Sequence, residues 1–464
     1  MKGRKQKISQ DTCLQRDRAE PECYAGGQTF MWITENNFTN VEQPGYGFLE
    51  QILSPANLNR AYKRVRSNKG AGGIDRMEVE SLRDYLVSGK DALIQSILDG
   101  SYRPNPVRRV AIPKDGGKEK RQLGIPTVVD RLVQQAINQV LSPIYEKQFS
   151  PHSYGFRPKR SAHQALNKCK DYITEGFNYA VDIDLEKFFD TVNQSKLIEV
   201  LSRTVKDGRV VSLIHKYLNA GVVVRNKFEE TMMGVPQGGP LSPLLSNIML
   251  NELDRELSKR GHRFVRYGDD MVILCKSRRS AHRTLANIIP FIEDKLFLKV
   301  NKEKTKVTGT KGIKFLGYSF YKYKGEGRLR LHPKSISRMK ERIRMLTSRS
   351  NGWGYARRKE ELRLFITGWV NYFKMADMRK LLLKVDKWYR RRLRMIIWKH
   401  WKRISTRLRN LIKLGIHKAK AWEFANTRKG YWRIAKSPIL SRTVTSDRLK
   451  QAGFTFFSDY FGKV

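Results

Sequence analysis

The chain has 464 residues, with 91 Lys and Arg against 44 Asp and Glu, a formal net charge of +47, and 40% hydrophobic residues. That length exceeds one ordinary core, so two to four domains or subdomains are expected, and an excess of positive charge on this scale points to a polyanion, nucleic acid ahead of a membrane surface. No apolar run approaches the ~20 residues that span a bilayer, no signal peptide is read at the start, and Cys13, Cys23, Cys169 and Cys275 form no C-x-x-C pair, which argues for a reducing compartment and against a zinc module or a disulfide frame.

Residues 1–46 are polar, with scattered charge and little periodicity, and read as a mostly disordered tail. Phe48, Leu49, Ile52 and Leu53 recur at helical spacing, Ser54-Pro55 breaks the pattern, and Leu58, Ala61, Tyr62 and Val65 resume it. Lys69-Gly70-Ala71-Gly72-Gly73-Ile74-Asp75 is a basic glycine-rich loop, either a plain flexible connection or a place where backbone N–H groups approach phosphate. Residues 108–114 and 120–126 read as paired strands around an Asp115-Gly116-Gly117 turn, projecting Arg109, Lys114 and Arg121. Thr127 then caps a helix whose Val129, Leu132, Val133, Ala136, Ile137 and Val140 form a core stripe. In Ser153-Tyr154-Gly155-Phe156-Arg157-Pro158-Lys159-Arg160, aromatics mix with cations. A turn with buried rings and a nucleic-acid path by stacking and phosphate contact both fit it. Residues 162–176 look helical.

Chemistry enters at Val181-Asp182-Ile183-Asp184-Leu185, whose strict alternation makes a strand with both acids on one face. Unpaired buried carboxylates are costly, so acids placed this way need a partner. Gly234-Val235-Pro236-Gln237-Gly238-Gly239-Pro240 is a loop able to approach a ligand, and Ser242-Pro243 starts a helix with Leu244, Leu245, Ile248, Met249, Leu253 and Leu257 as its stripe. The N-terminus of that helix would favour a nucleotide or a template backbone. Phe264-Val265-Arg266-Tyr267-Gly268-Asp269-Asp270-Met271-Val272-Ile273-Leu274 then reads as a β-hairpin with acid at its tip. Alone, such a tip is equally a solvated turn or a Mg²⁺ site. Two acid-bearing strands in one sheet could clamp a pair of cations roughly 3.5–4 Å apart, as two-metal phosphoryl-transfer sites do.

The ordered set of Asp184-x-x-x-x-Phe189, Pro236-Gln237-Gly238, Tyr267-Gly268-Asp269-Asp270 and Phe315-Leu316-Gly317 looks like a reverse transcriptase. More narrowly, Ile112-Pro113-Lys114, Arg121-Gln122-Leu123-Gly124-Ile125-Pro126, Tyr154-Gly155-Phe156-Arg157-Pro158 and Ala425-Asn426-Thr427-Arg428-Lys429-Gly430 resemble the bacterial group II intron-encoded reverse transcriptases, or maturases. The resemblance covers roughly residues 47–464 and implies an α+β right-hand polymerase with fingers, an antiparallel-sheet palm and a three-helix thumb. By it, Asp184, Asp269 and Asp270 are catalytic and hold two Mg²⁺ ions, with Mn²⁺ as a substitute and the Leu185 carbonyl as an extra ligand. Lys114, Arg121, Phe189 and Gln237 would bind the incoming dNTP. Tyr154, Phe156 and Arg157 would meet the template, and Phe315, Leu316 and Gly317 the primer. Asp182 competes with Asp184 for the catalytic role; Asp184 is preferred because an aromatic stands five residues on, at the family's sugar gate. An aromatic there, rather than an Asp that hydrogen-bonds a ribose 2′-OH, implies dNTP selection and a DNA product.

After Tyr318 the character changes. Residues 335–350, 359–377 and 381–403 look helical and heavily basic; in the last, Leu382, Val385, Tyr389, Leu393 and Ile396 make the buried stripe, while Arg390, Arg391, Arg392, Arg394, Lys399, Lys402 and Arg403 cover much of the rest. One-sign charge of this kind suits a grip on duplex, with a salt dependence of ~0.9 in slope per phosphate neutralised. The expected divisions are a tail (1–46), N-terminal extension and fingers (47–180), palm (181–330), helical thumb (331–413) and a small DNA-binding domain (414–464) containing Trp422, Trp432 and Arg433. Implied partners are group II intron RNA, an RNA template with a DNA primer, target DNA and dNTPs, with no membrane, in a bacterial cytoplasm on the nucleoid. The family's optional nuclease motifs are missing from this sequence, so no strand cleavage is expected. A non-enzymatic RNA-binding maturase and a host-adopted repair polymerase are the alternatives. Two departures stand out: Gly268 replaces the family's usual Ala and is expected to loosen the tip, and Arg76 follows Asp75 where Gly is common.

Overall fold

The computed structural model describes residues 47–113, 120–225 and 227–464; the tail expected over 1–46, Lys114 and the Asp115-Gly116-Gly117 turn lie outside the described residues. Two compact units divide the chain between Phe315 and Leu316. The first opens with α1 (Phe48–Leu53) and α2 (Pro55–Ser67), separated by Ser54, whose hydroxyl accepts from Asn57 N while Pro55 fills the first helical position. After α3 (Leu82–Leu98), β1 (Val107–Pro113) and β2 (Lys120–Ile125) pair antiparallel, Arg109 opposite Gly124. α4 (Val128–Glu146) starts at Thr127, whose hydroxyl accepts from Asp130 N at 3.1 Å and donates to the Asp130 carboxylate at 2.6 Å. A Ser161–Gln164 capping box begins α5 (Ala162–Thr174), which leads to β3 (Tyr179–Ile183).

Beyond α6 (Gln194–Ser202) and α7 (Gly208–Leu218), the short β4 (Val222–Val224) and β5 (Lys227–Glu229) extend the first sheet to the order β2-β1-β4-β5, with β1 and β4 parallel. α8 (Ser242–Lys259), the hairpin β6 (Arg263–Tyr267) and β7 (Asp270–Cys275), α9 (Arg278–Pro290) and β8 (Lys306–Gly309) complete the unit. The second sheet has the order β6-β7-β3-β8 and is antiparallel throughout. Val181 and Ile183 are buried on one side of β3, where α9 packs, and Asp182 and Asp184 are only half-buried, as strand alternation demands.

The glycine-rich loop is neither flexible nor open to phosphate through its whole length. Arg108 and Arg131 donate to the carbonyls of Gly72 and Ala71 at 2.7 Å, and a Cβ on Gly73 would stand 2.6 Å from Thr127 Cα. The glycines serve close packing. Arg76 sits at φ +57°, a left-handed conformation that explains why Gly is common there. The start of α8 also departs from expectation: Leu241, Ser242 and Leu244 are buried, Ser242 Oγ donates to the Pro236 carbonyl and Asn138 Nδ2 to the Pro240 carbonyl, so its first turn is covered rather than open to an anion.

In the second unit, β9 (Tyr318–Tyr323) and β10 (Glu326–Leu331) form a hairpin followed by α10 (Pro333–Leu346), α11 (Tyr355–Phe373), α12 (Arg379–His400), α13 (Ile404–Lys413) and α14 (Lys418–Ala425). The division between the two units thus precedes the β9–β10 hairpin. The hairpin belongs with the helices, because Tyr318 Oη donates to the Tyr372 carbonyl and Asp377 N to the Leu329 carbonyl. Residues 414–464 likewise share this unit: the short helices Tyr431–Ile434 and Phe457–Phe461 dock on α12, with Phe457 N and Ser458 N donating to the Asp386 carboxylate and the Phe457 ring edge-on to Trp369. The basic face of α12 is partly spoken for. Arg391, Arg392, Arg394 and Lys399 donate to the carbonyls of Trp432, Arg344, Val444 and Arg349, several at helix C-termini, where such cations are favoured. Among the described residues no helix is long and apolar enough to cross a membrane.

Candidate active site

The β3–β7 register sets Asp182 opposite Val272 and Ile183 opposite Met271, which brings Asp184, one residue past the strand, level with Asp270. The backbone there is fixed from the other side: Asn301 N donates to the Asp184 carbonyl at 2.8 Å, Asp184 N to Thr305 Oγ1 at 3.1 Å, and Leu185 bridges Val300. Asp269 and Asp270 arrive on the β6–β7 turn, where Tyr267 pairs with Asp270 across a two-residue loop. Asp270 is open to solvent on one side and crowded by protein on the other. Its carboxyl is pushed up to about 7, by that crowding first and then by the negative charges of Asp269, Asp182 and Asp184, with Lys314 opposing. Burial raises Asp182 to about 6, Asp184 adding to the rise while Lys306, its partner across β8, and Lys314 oppose it.

A group of carboxylates in which Asp182 and Asp270 are raised by their acidic neighbours is short of positive charge, and its hard oxygen donors suit Mg²⁺. Among the described residues no three His, Cys, Asp or Glu side chains stand close enough to form a ready cage. The carboxylates of Asp184, Asp269 and Asp270 fit the ion in donor type alone, as the side chains that would hold it.

The tip is clamped. Gly268 has φ +64°, the value the first residue of a II′ hairpin turn requires, and a Cβ on it would stand 2.9 Å from the Phe156 ring. Gly155 lies so close that its Cβ would be 2.2 Å from Gly268 N. Tyr154 N donates to the Arg266 carbonyl and Arg266 N to the His152 carbonyl, so the 152–156 loop runs as an extra strand beside β6. The loosening expected of Gly268 is therefore corrected: the turn's geometry calls for glycine, and its neighbours leave it no room to move.

The residues expected to meet the nucleotide are joined to one another. Arg121 Nε donates to Gln237 Oε1 at 2.8 Å, and Gly124 N to the Gln237 carbonyl at 2.6 Å. Phe189 is buried in the helical turn Phe188–Thr191; Val235 N donates to its carbonyl at 2.6 Å, and Arg109 pairs with Asp190 beside it at 3.6 Å. Phe189, Gln237, Gly124 and Arg109 line one small pocket.

Residues 112–320 match the family described as reverse transcriptase (RNA-dependent DNA polymerase), and residues 336–415 the group II intron maturase-specific domain. The group II intron-encoded protein LtrA of Lactococcus lactis subsp. cremoris is 35% identical over 277 residues, which cover 59% of this chain and 45% of LtrA. Protein YkfC of Escherichia coli K12 is 34% identical over 311 residues, 58% of this chain and 81% of YkfC. The chain belongs to the group II intron reverse transcriptase/maturase family. A putative COX1/OXI3 intron 2 protein of Saccharomyces cerevisiae is 29% identical over 62% of this chain and 40% of its own length. The chain thus spans less than half of LtrA.

The remaining residues that the family motifs single out are placed unevenly. Phe156 packs on the tip at φ +59°, and Tyr154 is buried with Arg160 over its ring. Arg157 departs from the expected template contact. Its side chain is only 2% exposed, with Nε and Nη2 on Glu146 and Nη1 on the carbonyls of Ser150 and Ser153. It braces the loop, and a cation with its donors turned inward has none left for phosphate; Lys159 stands exposed two residues on. Phe315 is buried at the end of the first unit, whereas the Leu316 and Gly317 carbonyls accept from Tyr372 Oη and Ser335 Oγ in the second.

Sequence reasoning missed Arg266, Asn247 and Asp254. Arg266 and Asp254 are fully buried and joined at 2.6 Å. The signal was available: an Arg inside the apolar run of β6, and Asn247, Asn251 and Asp254 at i, i+4 and i+7 on an otherwise apolar helix.

Proposed function

We propose that the chain is an RNA-directed DNA polymerase, working by two-metal phosphoryl transfer, that also binds group II intron RNA to assist splicing and retrohoming. The observation that carries the reading is the strand register that brings Asp184 level with the Asp269-Asp270 tip. In this reading the β6-β7-β3-β8 sheet is the palm, β1 and β2 belong to the fingers, and α10, α11 and α12 form the thumb. Asp184, Asp269 and Asp270 hold Mg²⁺, or Mn²⁺ in its place, with the Leu185 carbonyl as a further ligand. Bound metal would lower the pKa of the primer 3′-hydroxyl and stabilise charge on the reacting phosphoryl group. Phe189 crowds a ribose 2′-OH and so selects dNTPs; Arg121, and Lys114 with it, hold the triphosphate, while Gln237 sits by the nascent pair. Tyr154 and Phe156 shape the template path from behind the tip, and Phe315, Leu316 and Gly317 steady the primer. Template RNA, primer and target DNA are the partners, and the bacterial cytoplasm, on the nucleoid, is the working compartment.

Primer extension on an RNA template with dNTPs and Mg²⁺ tests this. The parent chain should extend the primer and Asp270→Ala should not. RNA binding without extension by the parent would favour the purely RNA-binding maturase instead.

A further inference from the structure

A fully buried ion pair adds little to stability, since apolar side chains of similar volume commonly replace one without loss. Arg266 and Asp254 form such a pair, which calls for another role. The guanidinium is divided between two tasks. Nε and Nη2 meet the Asp254 carboxylate at 2.8 and 2.6 Å, while Nη1 donates to Asn247 Oδ1 and to the Gly268 carbonyl, each at 2.9 Å. That carbonyl belongs to the peptide joining Gly268 to Asp269. Asn247 in turn donates through Nδ2 to the Gly155 carbonyl at 2.9 Å, and Asn251, one turn further along α8, accepts from Ser150 N at 3.1 Å. One polar stripe on a long helix thus fixes both the acidic tip and the loop pressed against it.

We propose that Arg266 is a positioning residue, which sets the height of Asp269 and Asp270 by anchoring the turn's own backbone to α8. The proposal rests on the polymerase reading of those two acids. The loop pressed on this turn limits it from one side, and the Arg266 bond is what ties its own backbone to α8; a reacting constellation must be held within about half an ångström, and an error of about 1 Å can cost on the order of 100-fold in rate. Lysine at 266 would keep the charge for Asp254 but lacks the planar fork that reaches Asn247 and Gly268 at the same time.

Two variants test it. Arg266→Met/Asp254→Leu replaces the pair by apolar bulk, and Arg266→Lys keeps the charge. Each is measured for thermal midpoint, for hydrogen exchange of the tip amides by mass spectrometry, and for kcat and primer–template KM. In a folded variant the tip amides should exchange at least about tenfold faster, and kcat should fall on the order of 100-fold with KM within about threefold, the split expected when reacting groups are displaced but binding is kept. Parental kcat or parental tip exchange in a folded variant overturns the proposal, and failure of both variants to fold assigns the network to stability alone. If the parent extends no primer, the polymerase reading fails, and tip exchange still decides whether Arg266 anchors the turn.

Discussion

Gly268→Ala is the substitution the family's usual Tyr-Ala-Asp-Asp tip makes natural, and the structure gives it a cost. At φ +64° an alanine carries about 1–2 kcal/mol of backbone strain, reduced by about 0.4–1 kcal/mol because alanine also restricts the unfolded chain. The new Cβ would stand 2.9 Å from the Phe156 ring edge, so the ring must give way, and Phe156 is itself held at φ +59°. Off-rotamer adjustment of this kind costs about 0.5–1.5 kcal/mol. A net loss of about 1–2 kcal/mol follows, or about 2–4 °C in Tm for a unit of this size. Thermal denaturation of the parent, Gly268→Ala and Gly268→Ala/Phe156→Leu separates the two contributions, because the leucine relieves the contact and leaves the backbone strain. An unchanged or raised Tm in Gly268→Ala would refute the reasoning, since it would mean that residue 268 does not hold the positive φ.

Asp269→Asn removes one negative charge from the acidic group and should abolish DNA synthesis while RNA affinity, read by filter binding, stays within about twofold; loss of folding or of RNA binding along with activity would remove the metal-ligand role. Phe189→Ala opens space beside the sugar and should raise the ratio of rNTP to dNTP incorporation by an order of magnitude or more in single-nucleotide extension; an unchanged ratio sinks the sugar-gate reading. Arg157→Ala strands Glu146 and the carbonyls of Ser150 and Ser153, and should cost about 2–4 kcal/mol by chemical denaturation. Its template affinity, measured where it is folded, should match the parent, contrary to a phosphate-contact role.

The parts of the site that follow from local pattern were legible in the sequence. Alternation fixed β3 and the face shared by Asp182 and Asp184, and the glycine at 268 marked the hairpin. The stripe from Leu132 to Ile137 marked α4 as core. What stayed hidden depends on which partner a side chain finds. Arg157 and Arg266 look alike to any reading of charge, yet both are buried and satisfied, because carbonyls, carboxylates and an amide oxygen 2 to 19 residues away in the chain supply their acceptors. The arginines of α12 were likewise counted as a polyanion grip, although several close helix ends in their own unit. The parallel pairing of β1 with β4 joins segments separated by the helices α4 to α7 and leaves no trace in either strand's pattern. Gly268 read as a loosening substitution because sequence conveys neither the sign of φ nor the Gly155 backbone behind it.

The position of β3 inside its sheet has a consequence for synthesis on the ribosome. Its two neighbours, β7 and β8, are made about 90 and 120 residues later, which at about 5–20 residues per second leaves the nascent strand unpaired for several seconds or more. An exposed segment carrying Val181, Ile183 and Leu185 is the kind that finds the wrong edge. Asp182 and Asp184 interrupt that apolar run at every second position, as gatekeeper charges do. Asp184, proposed to hold metal in the finished protein, thus also guards the growing chain together with Asp182, and neutralising both at once should lower the soluble yield at synthesis as well as the activity of what folds.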